Sequence, residues 1–365
     1  MLETALKLLK EFSNHSFKAY IVGGFVRDYL LGIESNDIDI TTNATPKEIK
    51  EIFQDSCLPN EDYGSVVVVM KGIHFDITTF RKEIQYENNR RPIEIEYIND
   101  LYPDLLRRDF VINTICMDEN GDIIDYLGGQ DDLHNHIIRT VGDAKSRFAE
   151  DSLRMLRAIR FATILNFQLS DDLIDAIKEE KYLLKELSYF RKKEELDKIF
   201  NCSNRDYGVK LLIDLEVYQE LELYNIHKIV NCEVDSSIAI WALLDVSEKY
   251  PFQKNELEIM KQIKKVLNSN NLDPMVLYQY GLYVNSCAGR IKGIDLKDIN
   301  EAYSNLVIHS RDDISIDSKT IMELLNRKPG KYIKEIYGDV EREILYKRLP
   351  NKLEDIKNYI KKHYE

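Results

Sequence analysis

The sequence predicts an α+β fold, with an N-terminal mixed β-sheet head followed by an all-helical neck, body and tail. Short β-branched runs separated by Gly, Asn and Asp dominate roughly the first 135 residues. After about residue 145, apolar residues recur at the three- and four-residue spacing of amphipathic helices. A chain of 365 residues also exceeds what one ordinary hydrophobic core can serve. We therefore expect the head at residues 1–140, the neck at 141–205, and the body and tail at 206–365.

The head is expected to alternate strands with short helices. Strands are predicted in KAYIVGG (18–24), NDIDITT (36–42), GSVVVVMKG (64–72), IHFDITTFR (73–81) and IEIEYI (93–98). Helices are predicted near residues 2–12 and in FVRDYLLG (25–32), TPKEIKEIF (45–53) and DLYPDLLRRDFVINTI (100–115). Of these, TPKEIKEIF has the clearest start, because Thr45 can cap the helix, Pro46 suits its first turn and Glu48 completes a capping box.

The rest of the chain is expected to be helical and free of membrane segments. FAEDSLRMLRAIRFATILNF (148–167) and SDDLIDAIKEEKYLLKEL (170–187) each place apolar residues on one helical face. No apolar run approaches the roughly 20 residues needed to cross a bilayer. Residues 2–12 lack the long apolar core of a secretory signal. These features predict a cytoplasmic protein.

Composition limits the classes of partner and cofactor. The five cysteines are scattered and form no C-x-x-C pair, which argues against a zinc site or a disulfide framework. The net charge of −13, taken alone, argues against a nucleic-acid partner. A local basic stripe can nevertheless bind phosphates on an acidic protein, so net charge does not decide the question.

Two aspartates, Asp37 and Asp39, are the first candidates for chemistry. The two-residue period of a strand puts both carboxylates on one face. Carboxylates so close raise each other's pKa unless a cation compensates them, and Mg²⁺ binds carboxylates together with phosphate oxygens. Alone, however, such a pair is more often a solvated strand edge. Asp76 lies in a similar run, where it could join a metal cluster, orient a nucleophile or be a satisfied strand acid.

A glycine turn before this pair changes its interpretation. Gly23 and Gly24 follow the apolar run AYIV and precede a helical segment, so backbone N–H groups and the helix start can approach a triphosphate. Arg27 lies one turn into that helix, within reach of the same phosphates. Two glycines alone are a weak signal. Together with Arg27 and the aspartate pair, they predict a nucleotide site with metal ions.

These residues resemble the signature of the bacterial tRNA nucleotidyltransferase and poly(A) polymerase family, within the polymerase β-like superfamily. After GGFVRDYLLG and NDIDITT come RRDFVINTI (107–115), DYLGGQDDL (125–133), RTVGD (139–143) and FAEDSLRMLRAIRFA (148–162), in the family's order. A weaker similarity follows in LNRKPGKYIKEI (325–336). The resemblance implies template-independent addition of C-C-A to the 3′ end of tRNA from CTP and ATP, with release of pyrophosphate.

The resemblance also implies roles for individual residues. Asp37 and Asp39 would hold two Mg²⁺ ions, one activating the tRNA 3′-hydroxyl and the other binding the triphosphate. Gly24 and Arg27 match the family's nucleotide-binding loop, and Arg108 matches a further nucleotide contact. The family's helix that reads base and phosphates is matched by Asp151, Arg154, Arg157 and Arg160. The helical body and tail would bind the acceptor arm and elbow of tRNA, with no DNA partner.

Asp151 and Arg154 suggest how a protein selects C and A. Three residues apart in the predicted helix, they would be neighbours on one face, where Asp only accepts hydrogen bonds and Arg only donates them. Cytosine and adenine each present an amino donor beside a ring-nitrogen acceptor, whereas uracil and guanine present the reverse order. A rejected base would leave buried polar groups unpaired. Arg157 and Arg160 continue the spacing as a stripe suited to phosphates, although the same pattern alone fits a solvated face.

Two alternatives remain open from the sequence. RKEIQYENNRRP (81–92) has the length of a loop that CC-adding relatives lack, although Ile84 stands where relatives often have glycine. This length favours complete CCA addition or addition of A alone, so an A-adding enzyme or a poly(A) polymerase is one alternative. A non-catalytic RNA-binding protein is the other, but such a protein has no need for two costly adjacent carboxylates.

Overall fold

The structure is a computed structural model that describes residues 1–35, 37–54, 56–58, 65–87, 91–230, 232–234 and 236–365. For Leu58 and for residues 83–87 and 91–94 it describes the backbone alone. The chain divides into two compact units, an N-terminal unit Met1–Tyr224 and a C-terminal unit Asn225–Glu365. The finer division into head, neck, and body with tail stays a prediction.

A mixed β-sheet forms the first half of the N-terminal unit. The strands are β1 (Ala19–Val22), β2 (Asp39–Thr42), β3 (Cys57–Leu58), β4 (Ser65–Met70), β5 (Ile73–Thr79), β6 (Arg81–Glu87), β7 (Arg91–Tyr97), β8 (Cys116–Met117), β9 (Ile123–Ile124), β10 (Ile137–Ile138) and β11 (Gln168–Leu169). Over the described residues the sheet runs in the order β3-β4-β5-β2-β1-β8-β9, while β6 pairs with β7 and β10 with β11. Strand β2 therefore lies near the centre, antiparallel to β1 and parallel to β5.

Helices cover this sheet and continue beyond it. In the N-terminal unit they are α1 (Leu2–Asn14), α2 (Gly24–Leu30), α3 (Pro46–Ile52), α4 (Leu101–Leu106), α5 (Gly129–His134), α6 (Ala144–Glu150), α7 (Leu153–Leu165), α8 (Asp171–Glu180), α9 (Tyr189–Phe200), α10 (Arg205–Asp214) and α11 (Val217–Glu220). Short 3₁₀ turns lie at Val111–Asn113 and Lys181–Glu186. The predicted mixed-sheet head with helices after it is confirmed.

The C-terminal unit is helical over its described residues. Its helices are α12 (Ser237–Leu244), α13 (Lys254–Leu267), α14 (Pro274–Ile291), α15 (Leu296–Ser304), α16 (Ser318–Leu325), α17 (Tyr332–Leu345) and α18 (Leu353–Tyr364), with 3₁₀ turns at Ile226–Ile229 and Arg311–Asp313. Helix α14 bends at Gly281, whose φ of 71° lies outside the helical region. Apolar side chains of α16, α17 and α18 build a core that belongs to this unit.

A local sequence signal explains where α3 begins, and apolar packing explains where α4 lies. The capping box at α3 is present, since Glu48 N–H donates to Thr45 Oγ1 at 3.4 Å and Thr45 N–H donates to Glu48 Oε2 at 2.8 Å. Helix α4 packs on the sheet through Leu101 and Leu105, which join a cluster with Val22 and other buried residues. This packing sets the position of the arginines that follow α4.

Three predicted helices are shorter than expected. The helix expected over 170–187 ends at Glu180, where the 3₁₀ turn Lys181–Glu186 follows. The helix expected over 100–115 ends at Leu106, because the next segment pairs elsewhere: Val111 N–H donates to Arg139 O at 2.9 Å and Phe110 bridges Thr140. The helix expected over 148–167 is interrupted at Asp151. The backbone there is extended (φ −151°, ψ 104°), and the Asp151 carboxylate accepts from Leu153 N–H at 3.1 Å in an Asx turn just before α7.

Two further expectations concern the membrane and the loop at 81–92. Among the described residues, no helix has the length and apolar character required to span a bilayer. The ends of the loop are the antiparallel strands β6 and β7, but residues 88–90 and the side chain of Ile84 lie outside what the structure describes.

Candidate active site

Three carboxylates meet where β2 begins, beside the middle of β5. Asp37 precedes β2, Asp39 begins it, and the parallel register sets Asp76 of β5 beside Asp39. One ligand oxygen from each of the three lies within 4.8 Å of the others. Hard divalent cations take several carboxylate oxygens, so this spacing fits such an ion. The sequence pattern alone left the relation of Asp76 to the pair open, and the pairing of the strands brings the three together.

The electrostatics of the cluster also favour a bound cation. Desolvation raises the pKa of Asp39, and the carboxylates of Asp37 and Asp76 raise it further, while Arg108 lowers it. Three acids this close repel one another, so the bare cluster is costly for the fold. A divalent cation bound there would offset that repulsion.

The glycine turn brings backbone against this cluster. Gly23 has φ 82° and ψ −131°, a conformation that side-chain-bearing residues rarely adopt. A Cβ at Gly23 would lie 3.4 Å from Arg108 Nη1 and 3.9 Å from Asp39 Oδ2. Gly24 begins α2, and a Cβ there would lie 3.7 Å from Arg27 Nη2. The turn therefore brings the backbone into close approach with both an acid and two arginines.

Arg108 is held near the turn by an acid that the sequence analysis missed. Asp104 is fully buried and accepts hydrogen bonds from Thr41 Oγ1 (3.2 Å), Arg81 N–H (3.1 Å) and Arg107 Nε (2.8 Å). Its Oδ2 lies 3.8 Å from Arg108 Nη2. Asp104 thus ties α4 to β2 and β6. The available signal was a lone acid on the apolar face of LYPDLL.

Phe161 gathers three of the predicted arginines. The guanidinium carbons of Arg27, Arg157 and Arg160 lie 5.2, 5.5 and 4.2 Å from its ring centroid. Phe110 packs edge-on against the same ring, with centroids 5.5 Å apart. Cations are attracted to aromatic faces, so the ring sets the spacing of these side chains. The sequence analysis did not select Phe161, because an aromatic residue at helical spacing usually indicates core packing.

Each of the three arginines also has an acidic partner. The pairs are Arg27–Asp28 (2.7 Å), Arg157–Asp109 (2.5 Å) and Arg160–Glu195 (2.6 Å). The guanidiniums that sequence reasoning assigned to phosphates therefore bind carboxylates in this structure. Their role toward a nucleotide stays a prediction.

Asp109 connects the RRDF segment to α7. Burial alone would raise the pKa of Asp109, but the Arg157 guanidinium, the Asn113 amide and Phe110 N–H together hold it below its usual value. Asn113 donates to Asp109 at 3.2 Å and accepts from Arg27 Nη1 at 2.8 Å. An amide is suited to this position, since it both donates and accepts. The contact chain thus runs from the glycine-turn helix to α7.

The prediction that Asp151 and Arg154 lie on one face of a single helix is wrong, while their role toward a base stays a prediction. Asp151 precedes α7, and its carboxylate accepts instead from Arg191 Nη2 of α9 at 2.8 and 3.2 Å. Arg154 Nη1 donates to Arg147 O at 2.8 Å and to Glu150. Glu150, Arg147 and Arg191 were not selected from the sequence, because the interruption of the helix that brings them here was not foreseen.

Three family comparisons cover most of the chain. Residues 19–139 match the poly A polymerase head domain. Residues 166–223 match a family described as "Probable RNA and SrmB-binding site of polymerase A", and residues 233–360 match tRNA nucleotidyltransferase domain 2.

Two relatives that align over nearly the whole chain are both described as CCA-adding enzymes. The CCA-adding enzyme of Staphylococcus haemolyticus is 34% identical over 389 residues, spanning 98% of this chain and 97% of the relative. That of Bacillus subtilis is 33% identical over 386 residues, spanning 98% and 97%. The crystal structure of the Bacillus stearothermophilus CCA-adding enzyme in complex with CTP matches with a TM-score of 0.86 at 26% identity, covering 98% of this chain and 96% of that one.

Proposed function

This chain belongs to the family of CCA-adding enzymes, which are nucleotidyltransferases, and from that membership we propose its reaction and the residues that perform it. It adds C-C-A to the 3′ end of tRNA without a template, from CTP and ATP, releasing pyrophosphate. The observation that carries the assignment is the cluster of Asp37, Asp39 and Asp76 beside the Gly23 turn. The near full-length similarity to CCA-adding enzymes favours this reaction over poly(A) synthesis.

Asp37 and Asp39 are the proposed ligands of two Mg²⁺ ions, with Asp76 beside them. Carboxylate oxygens combined with phosphate oxygens are the ligands that Mg²⁺ prefers. When bound there, the metal ions supply Lewis-acid chemistry, lowering the pKa of the attacking 3′-hydroxyl and neutralising charge on the pyrophosphate. Asp76 is the third acid of the cluster and a candidate to orient the hydroxyl.

The surrounding groups would bind and orient the nucleotide. Gly23 N–H donates to Ile115 O at 3.4 Å, so Gly24 N–H at the start of α2 is the turn's group proposed to approach the triphosphate. Arg108 lies beside both the turn and Asp39. Arg27, Arg157 and Arg160 surround Phe161 and supply positive charge. Asp151 and Arg154 would pair with the amino group and ring nitrogen of C or A. Arg191 can keep the Asp151 carboxylate oriented meanwhile, because a carboxylate accepts about four hydrogen bonds.

The product pattern tests the reaction. The chain is incubated with Mg²⁺ and with tRNAs ending before CCA, after C and after CC, in the presence of CTP, ATP or both. Addition of two C residues and one A, followed by a stop, is the expected result. Long A tails would point to a poly(A) polymerase, and a chain that adds no nucleotide would refute the assignment.

The metal assignment is tested by Asp37→Ala. We expect nucleotide incorporation to fall by about a thousandfold or more while tRNA affinity stays near that of the wild type, because the lost carboxylate acts on the transition state. Asp175→Asn on the outer face of α8 is the matched control and should incorporate normally. An active Asp37→Ala variant would contradict the proposed site. Replacement of Mg²⁺ by Ca²⁺ should stop incorporation without preventing nucleotide binding.

A further inference from the structure

One buried arginine to which the proposed reaction gives no role lies between the segments that would bind the nucleotide. Arg147 belongs to α6 and is 8% exposed. Its Nη2 donates to the backbone carbonyls of Arg107 and Arg108, at 2.6 Å for Arg108 O. Its Nη1 pairs with Glu150 Oε2 at 2.5 Å. A guanidinium holds its N–H groups in a fixed planar fork, so these three acceptors fix α6 relative to the RRDF segment.

The contact with Arg108 O restrains a group that is proposed to bind the nucleotide. That oxygen belongs to the planar peptide unit that joins Arg108 to Asp109. One hydrogen bond to it therefore restrains the plane from which both side chains leave the backbone. The Arg108 guanidinium lies beside Gly23, and the Asp109 carboxylate pairs with Arg157. Arg147 thus acts on two side chains of the site through the backbone between them.

The contact with Glu150 leads to a group that is proposed to read the base. Arg154 Nη1 donates to the same Oε2 atom of Glu150 that Arg147 binds, and also to Arg147 O at 2.8 Å. Because two guanidiniums share one carboxylate oxygen, a shift of either one displaces that oxygen for the other. Arg154 is 8% exposed, as Arg147 is, so water screens these charges little.

We propose that Arg147 is a positioning residue that couples the phosphate contact of Arg108 to the base contact of Arg154. The inference rests on the proposed function, which supplies the roles of those two arginines. Arg147 acts through both of them: a base that fits Arg154 leaves Glu150 in place, and the carbonyl of Arg108 then keeps its position. A base that displaces Arg154 displaces Glu150 as well, and Arg147 transmits the shift to the RRDF backbone. Base selection thereby includes the placement of the triphosphate.

Arg147→Met in the full-length chain removes the coupling group. Methionine keeps an unbranched apolar stem but offers no donor to the two carbonyls and no charge to Glu150. We expect kcat/KM for CTP to fall by about tenfold, mostly through KM, and discrimination between CTP and UTP to fall by about fivefold. Lys145→Met is the matched control, because Lys145 is exposed on the same helix and pairs with Glu179 of α8. It should stay within about twofold of wild type in both measurements.

A double-mutant cycle separates positioning from general damage to the fold. Arg108→Lys and Arg154→Lys are made singly and together, first with Arg147 present and then with Arg147→Met. With Arg147 present, the combined loss of kcat/KM should differ from the product of the single losses by about fivefold, as for residues in one network. With Arg147→Met, the losses should multiply to within about twofold. Coupling that persists without Arg147, or that is absent with it, would overturn the proposal.

Melting temperatures show whether Arg147→Met folds, and Arg147→Lys replaces it in the cycle where it does not. Lysine keeps the charge beside Glu150 but presents its donors from one nitrogen, so the coupling should again fall below about twofold. Full coupling in that variant would contradict the role of the planar fork. Binding of CTP is measured in parallel by calorimetry with Ca²⁺. A wild type that binds CTP but adds no nucleotide refutes the proposed function, and the cycle is then evaluated with the dissociation constants for CTP. An active wild type with an unaffected Arg147→Met variant refutes the positioning role alone.

Discussion

At the scale of single residues, the guanidinium groups of three arginines lie around one phenylalanine ring in this site. Like charges so close repel, and here each arginine has its own acid: Asp28, Asp109 or Glu195. The ring of Phe161 adds an attraction shared by all three. Substitutions at these positions should therefore displace the charged side chains more than they lower the free energy of unfolding.

Phe161→Leu tests the ring as a positioning group. Leucine keeps most of the apolar volume, so folding should lose only about 1 kcal/mol. Loss of cation–π contacts worth roughly 0.5–1 kcal/mol each should raise KM for CTP and ATP by about fivefold, with a smaller change in kcat. Phe167→Leu is the control, because Phe167 is also buried and packs on His136, and among the described residues no arginine lies over its ring. Equal KM values in the two variants would contradict the role of Phe161.

Asp109→Asn tests the link between RRDF and α7 through its pH dependence. The folded state lowers the pKa of Asp109 below its ordinary value of 3.8. The ion pair with Arg157 therefore stabilises the fold at pH values above that ordinary pKa. This stabilisation is lost as the pH falls through the lowered pKa. We expect the variant to be less stable by about 2–3 kcal/mol at pH 7, as for the loss of hydrogen bonds to a charged group. The difference from wild type should shrink below about pH 4. Urea unfolding at several pH values measures it, and a difference independent of pH would contradict the pairing.

At the scale of elements, the interruption between α6 and α7 is the decisive feature. Had the helix continued, Asp151 and Arg154 would form a local pair. Because it stops, Asp151 turns toward α9 and binds Arg191, while Arg154 turns toward α6 and binds Glu150. Three helices thus share the positioning of the two groups proposed to read the base.

Arg191→Ala tests this arrangement. Without Arg191 the Asp151 carboxylate loses its orientation, so discrimination between CTP and UTP should fall by about tenfold, and by more in Asp151→Ala. The double variant should lose less than the sum of the two, since both act on one carboxylate. The ratio of kcat/KM for CTP and UTP measures it. Unchanged ratios in both single variants would exclude Asp151 from base selection.

At the scale of the whole molecule, an acidic chain must bind a polyanion. The net charge is −13, so RNA affinity has to come from local basic groups. We expect the association constant for tRNA to fall with salt, with a log–log slope between about −2 and −5, as for a handful of phosphate contacts. Binding isotherms at several KCl concentrations measure the slope. A slope near zero would mean that phosphates contribute little to binding.

The amino-acid sequence revealed the residues proposed to bind metal and triphosphate, but not the contacts that join the segments around them. Sequence alone was enough to select four residues, Gly23, Arg27, Asp37 and Asp39. They occur within one short stretch, and glycines and closely spaced acids are costly residues in local structure. Asp104, Phe161 and Arg191 could not, since each is an ordinary residue of an amphipathic helix until distant segments pack against it.

Residue order is sufficient for the α+β class, for the turn that suits a triphosphate and for the acid pair, because backbone conformation and strand period are local properties. Tertiary structure alone decided that Asp76 completes the acid cluster, since this depends on β2 pairing with β5. It also decided that Asp151 faces Arg191, because Asp151 leaves the helical conformation and the side chains from α6, α7 and α9 converge there. Local spacing specifies which residues share one face of an element, whereas packing specifies which elements face each other.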